Sequence, residues 1–254
     1  MIRNLRMFLF DKNPPPASDR FEIATESGIV AVALRRHPNA RNYTLRLKSA
    51  TGAPILTMPK RGSLRQARDF LDRHAGWLVR QMDKLPKAKP IEDGAMIPIR
   101  GVPHRIRHVA GKRGTAAIEL DGDQPVLTVY GQREHLKRRV LDFLKREAKR
   151  AIEPAVTKHA AALGVTVRAI RYRDQTSRWG SCTITGHLSF SWRLILAPPY
   201  ILDYLAAHEV AHLREMNHSR RFWRVCEQLC PQTRQARAWL KTEGASLHAV
   251  GAEG

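Results

Sequence analysis

Residues 208–212 read His-Glu-Val-Ala-His. Positions i and i+4 of a helix share a face, so in a helix both imidazoles would reach one metal ion. The segment is apolar and follows Pro198-Pro199, and a proline suits the first turn of a helix. Catalytic zinc takes three protein ligands and keeps a fourth position for water. His218 lies six residues beyond His212, the spacing of H-E-x-x-H-x-x-G-x-x-H zinc enzymes, although Glu215 stands where those chains have glycine. The turn is therefore expected through Asn217, a residue type that tolerates left-handed backbone. Glu215 is the alternative third ligand. On this reading His208, His212 and His218 hold Zn2+, which lowers the pKa of a water toward about 7. Glu209 then takes the water's proton and returns it to the leaving group. The chemistry is hydrolysis.

A polar loop, Arg173 to Cys182, carries Ser177, Arg178, Trp179, Gly180 and Ser181. Arg178 would either stabilise an oxyanion beside the metal or brace the loop. Cys182 has no separate base near it in sequence and is not read as a nucleophile. Cys226 and Cys230, four apart, are either a thiol pair able to bind metal or small core residues.

The elements that must position these groups follow from periodicity. Residues 1–20, with Asn13-Pro14-Pro15-Pro16, read as a leader. Short strands occupy Phe21 to Pro59; in Tyr43 to Lys48 apolar and polar residues alternate with period two. Ser63 and Gln66 have the spacing of a capping box, and the helix they open should end before Pro86. The lysine- and proline-rich residues 86–93 read as a connector. More strands lie between Met96 and Tyr130. A long helix is expected from about Glu134 to Leu163, with Leu136, Val140, Leu144, Ala148, Ile152 and Val156 on one face and Gly164 at its end. Strands follow at Val165–Tyr172 and His187–Leu196, then a helix to about Met216, another opening near Ser219, and a last one over Thr233–Glu243. No internal repeat is visible, and the glycine-containing end reads as loose. The organisation is a leader (1–20), a β-rich region with one helix (21–130) and a catalytic region (131–245).

The 254 residues carry 44 Lys and Arg against 23 Asp and Glu, a net charge of +21. That balance points either to a polyanionic partner, nucleic acid or nucleotide, or to a solvated basic surface. The helix start, Arg133 to Arg150, holds eight basic and three acidic residues, which a wet basic side explains as well as phosphate tracking does. Three cysteines give no disulfide framework. No run approaches the roughly 20 apolar residues of a membrane helix, and the first ten residues do not read as a signal peptide. The cytoplasm is the expected location.

The stretch Arg173-Asp174-Gln175-Thr176-Ser177-Arg178-Trp179-Gly180-Ser181-Cys182, with Ser191-Trp192-Arg193-Leu194, His208-Glu209-Val210-Ala211-His212-Leu213, Asn217-His218-Ser219 and Phe222-Trp223, resembles the YgjP-like metallopeptidase family, related to the SprT and WLM zinc proteases. Ser191 departs from the asparagine expected there. The resemblance is dense from about Glu134 to Trp239 and weaker from Phe21. It implies an α+β, zincin-like catalytic domain whose helices carry the metal site on a small antiparallel sheet. It implies His208, His212 and His218 as ligands and Glu209 as base. For activity it implies a metallopeptidase acting on peptide or protein. The alternatives keep the site: a nucleoside triphosphate (UTP-type) pyrophosphatase, or a nucleic-acid-associated zinc protein or DNA-linked protease.

Overall fold

In the computed structural model the described residues are 20–25, 28–47, 52–111, 114–175 and 178–252. Thr176 and Ser177 of the polar loop lie outside them, as does the proline-rich start. The architecture is α+β, and the chain divides into two units, one ending at Lys84 and the other running from Leu85.

The first unit is a four-stranded sheet with one helix. Its strands are β1 (Arg20–Thr25), β2 (Gly28–His37), β3 (Thr44–Leu47) and β4 (Pro54–Pro59), in the order β1-β2-β4-β3. Side chains alternate across a strand, and Val32, Leu34, Leu56 and Met58 point to one face. There they meet Ala67, Leu71 and Leu78 of α1 (Leu64–Asp83). Ser63 sits at the helix start without a side-chain cap. Gln66, expected to close a capping box, instead accepts a hydrogen bond from the Tyr43 hydroxyl at 3.1 Å.

The second unit opens with β5 (Met96–Ile99), β6 (Val102–Val109), β7 (Ala116–Asp121) and β8 (Gln124–Tyr130), in the order β5-β6-β8-β7. In both sheets the outer pairs are antiparallel and the central pair parallel, and a helix follows the fourth strand. The chain thus contains one ββββα arrangement twice, a repeat not visible in the sequence reading. The second helix, α2 (Leu136–Leu163), buries Val140, Leu144, Ala148, Ile152 and Val156, and Gly164 ends it at φ +66° in the left-handed region that glycine adopts without strain.

A three-stranded sheet follows: β9 (Ala169–Arg173), β10 (Gly180–Cys182) and β11 (His187–Ser191), ordered β10-β11-β9. The strand expected to reach Leu196 stops at Ser191. Residues Trp192–Leu196 form a 3-10 turn whose start is capped by Ser191 Oγ, and Trp192, Leu194, Ile195 and Leu196 are all buried. Alternating apolar residues mimicked a strand there because the turn is buried on more than one side. The next helix, α3 (Pro199–Ala211), is apolar nearly all round and packs against α2, as such helices must. It ends at His212, short of Met216. Helices α4 (Arg220–Leu229), α5 (Thr233–Thr242) and α6 (Gly244–Ala249) complete the unit. The C-terminal end, read as loose, is tied in: Lys89 N–H donates to Ala249 O at 2.9 Å and Gly251 N–H to Lys89 O at 2.8 Å. Among the described residues no helix is long and apolar enough to cross a membrane.

Candidate metal centre

His208 and Glu209 fall in the last turn of a buried helix, so the core that forms α3 also strips water from them. His212 caps that helix, and the chain then reverses through residues 212–214, with Arg214 N–H and Glu215 N–H both donating to Ala211 O. The turn was expected to need a left-handed Asn217. It does not: among the described residues Arg100 alone, apart from glycines, has positive φ. Ser219 Oγ accepts from Phe222 N–H at 3.3 Å and starts α4, which sets His218 immediately before that helix.

The three histidines converge. One ring nitrogen of each lies within 4.8 Å of the others, and the Nε2 atoms of His208 and His218 are 3.1 Å apart. Phe222, fully buried, is within 4.9 Å of all three rings, centroid to centroid, and forms an apolar floor. Trp223 stacks on His218 at 5.5 Å, and the Arg237 guanidinium sits 4.0 Å over Trp223. Glu215 does not join the cluster; its backbone carbonyl lies 3.2 Å from His212 Nδ1. The Tyr204 oxygen lies 3.3 Å from His208 Nδ1.

Electrostatics keep the three rings neutral. Burial, then the neighbouring His212 and His218, push His208 down to about 3. Burial also lowers His212 and His218, with Arg237 adding to the effect on His218. Neutral imidazoles whose Nδ1–H groups donate to Tyr204 and Glu215 would present bare Nε2 lone pairs to one point. Two Nε2 atoms held about 2 Å from a tetrahedral ion would be about 3.3 Å apart, close to the 3.1 Å observed. The donor set therefore suits a divalent metal, and the partners on the far nitrogens fix the rings as metal sites require.

Glu209 is 3 % exposed, and its Oε2 has no hydrogen-bond partner among the described residues. Burial pushes its carboxyl up to about 8 against the pull of the Arg178 guanidinium. Gly180 of β10 lies directly over it: a Cβ there would collide with Glu209 Oε1 and stand 2.8 Å from Cγ and Cδ. Arg178, Trp179, Gly180, Ser181 and Cys182 form one wall of a cleft of about 440 Å³ whose other wall includes His208, Glu209, His212 and His218. Cys182 is a poor nucleophile, its thiol pushed up to about 11 by burial and then by Glu209. Cys226 and Cys230 are buried core residues, with Cys226 Sγ 3.6 Å from Thr233 Oγ1.

Several supports escaped the sequence reading. Arg193 grips Asp174 through two contacts, 2.7 and 3.2 Å, and donates to Leu247 O and Val250 O. Trp179 stacks on His248 at 4.4 Å. The cleft wall is thus pinned to the C-terminal helix. Tyr204, one turn before His208, offered the one local signal.

Three imidazoles facing one point beside a buried carboxylate form an arrangement used by metal-dependent hydrolases. Residues 41–243 match the family described as YgjP-like, metallopeptidase domain, and the chain belongs to that family. A solved structure, the metallopeptidase zymogen of Pyrococcus abyssi abylysin, is similar at 21 % identity over 36 % of this chain and 95 % of its own, with a TM-score of 0.33. No curated protein matches.

Proposed function

We propose that the chain is a zinc peptidase in which His208, His212 and His218 hold the metal and Glu209 is the base. The observation that carries this reading is the buried Glu209 Oε2, without a hydrogen-bond partner among the described residues, next to three neutral imidazoles. When bound, zinc supplies Lewis acidity, acidifying a water and polarising the scissile carbonyl. As a carboxylate, the form that a bound cation would favour over the buried acid, Glu209 would accept the water's proton at Oε2 and pass it to the leaving amine. Gly180 leaves the carboxylate its space. Arg178, at the cleft wall, offers positive charge to the oxygen on which negative charge develops.

A peptide is favoured over a nucleotide by β10. Among the described residues it is an edge strand, and its three residues line the cleft, so its outer side can take an extended backbone by β-augmentation. The test is metal analysis and hydrolysis of the Glu209→Gln variant alongside wild type, with casein and nucleoside triphosphates offered in parallel. Retained zinc with lost casein cleavage is expected. Undiminished cleavage by the variant overturns the role of Glu209, and phosphate or pyrophosphate release without peptide cleavage overturns the substrate.

A further inference from the structure

The two ββββα arrangements correspond in their ladder registers and in two short stretches of sequence. Pro54-Ile55-Leu56-Thr57 of β4 matches Pro125-Val126-Leu127-Thr128 of β8, and Asp69-Phe70-Leu71-Asp72-Arg73 of α1 matches Asp142-Phe143-Leu144-Lys145-Arg146 of α2. Leu56 and Leu127, and Leu71 and Leu144, are equally buried. The ladders agree: Arg35 faces Thr57 as Arg107 faces Thr128, while Arg46 faces Ile55 as Glu119 faces Val126.

On the sheet face turned away from its helix, the second unit neutralises its cations. Arg107 bonds to Glu119 at 2.9 Å and to Thr128 at 3.1 Å, Arg105 pairs with Asp121 at 2.9 Å, and the hydroxyls of Thr128 and Tyr130 also donate to Glu119. In the first unit the equivalent of Glu119 is Arg46. The sequence carries Lys48 two residues further on, as it carries Asp121 two beyond Glu119. Arg20, Arg35 and Arg46 are exposed and have no ion pair among the described residues. Between residues 20 and 84 there are thirteen Lys and Arg against five Asp and Glu.

We infer that the open face of the β1–β4 sheet binds the phosphate backbone of a nucleic acid strand. Arg35 and Arg46 lie on strands separated by β4, about 10 Å apart, with side chains standing off the sheet. Cations spread this way suit successive phosphates of a polyanion better than a single small anion. Ala31, Ala33, Thr44 and Thr57, with the half-buried Ile55 beside Arg46, leave the face low enough for a chain to lie across it, and Glu22, opposite Ala31, is the acid this face carries among the described residues. A membrane surface would call for several exposed bulky apolar groups. Among the described residues this face offers Ile29 (74 % exposed).

The full-length chain would be titrated, over roughly 1–100 μM to span ordinary non-specific affinities, into a fluorescein-labelled single-stranded DNA of about 20 nucleotides. Binding would be followed by anisotropy between about 50 and 200 mM salt. Arg46→Glu is expected to weaken binding about tenfold or more and to flatten the log–log salt slope by roughly 0.7 per lost phosphate contact. Its melting temperature should hold or rise, because Arg35 would gain the partner that Arg107 has in Glu119. Arg46→Gln, which removes the charge and adds no partner, should weaken binding severalfold. Lys145→Glu, the same reversal on α2, should change affinity less than about twofold if the sheet face is the site. No binding by wild type at the lowest salt, equal weakening by Lys145→Glu, or binding to phosphatidylserine vesicles in place of DNA would each overturn the inference.

Discussion

Replacing Gly180 by alanine tests how the proposed base is held. The added methyl would meet Glu209 Oε1, and the Cγ and Cδ atoms behind it at 2.8 Å. Glu209 is 3 % exposed, so the methyl would have to displace its carboxylate from the buried position it holds at the cleft wall. Overpacking of one methyl in such a site costs about 1–3 kcal/mol. Displacement of a reacting group by about 1 Å costs on the order of 100-fold in rate, equivalent to ~2.7 kcal/mol. The three atoms nearest the added methyl all belong to Glu209, so metal content should stay at the wild-type level. The assay is kcat/KM on a fluorogenic peptide derived from casein, with zinc quantified on the same sample and a thermal melt to register the packing cost. A fall of about 100-fold in kcat/KM with full zinc is expected, in KM little change. Full activity in Gly180→Ala would refute the reasoning, because the carboxylate would then have room that the packing denies it. Lost zinc would refute it differently, by making the β10 wall part of the metal site.

For the third ligand, His218→Ala should lower zinc occupancy far more than Glu215→Ala, since Glu215 offers His212 its backbone carbonyl, which alanine keeps; the opposite order on metal analysis would exchange their roles. Arg193→Ala removes the ties to Asp174, Leu247 and Val250 and should cost about 2–4 kcal/mol. Faster hydrogen exchange at 178–182 and 244–251 would locate the loss, and unchanged exchange there would show that the clamp is not needed. His248 gives a pH dependence. Burial, then Arg193, pushes it from the usual 6.5 down to about 4, so the unfolded chain takes up its proton first as pH falls. The stabilisation it supports is complete above about 6.5 and is lost on the way down to about 4. A full shift of this size is worth ~3 kcal/mol, and solvent screening leaves about 1–2 kcal/mol. Urea midpoints at pH 7.5 and 4.5 should therefore converge in His248→Phe relative to wild type; an equal drop in both proteins would remove His248 from the account.

The centre was legible because its information is local. His208, Glu209 and His212 need one helix, and His218 needs a short reversal after it. What the sequence hid is non-local. Gly180 reads as a flexible residue in a polar loop, and its closeness to Glu209 follows only when β10 is laid beside α3. Asp174 and Arg193 are ordinary charges until the 3-10 turn that replaces the end of β11 aims the guanidinium at the C-terminal helix. That turn was hidden by its burial, since Trp192, Leu194 and Leu196 satisfy a strand's alternation while also filling a core. Glu215 is a different case: a carboxylate in the glycine's place reads as an alternative ligand, and its backbone carbonyl, which no sequence pattern singles out, lies 3.2 Å from His212 Nδ1.

The repeat escaped for another reason. The strand match lies 71 residues apart and the helix match 73 apart, so no single period aligns both, and only a few identities survive in each. Core positions persist because packing punishes their change: Leu56 and Leu127 fill equivalent places under equivalent helices. The outer faces carry no such constraint, and there the two copies part. Where Glu119 and Asp121 meet arginines, the face is electrically closed and contributes to holding β6, β7 and β8 in register. Arginine in the place of Glu119 gives up that pairing and sets like charges on one face, on strands separated by β4, a net cost to the isolated unit. Such a cost is offset when an external polyanion supplies the missing negative charge. The substitution of a base for an acid in an otherwise matched frame thus locates the part of the +21 charge that has a partner outside the chain, which net charge by itself does not.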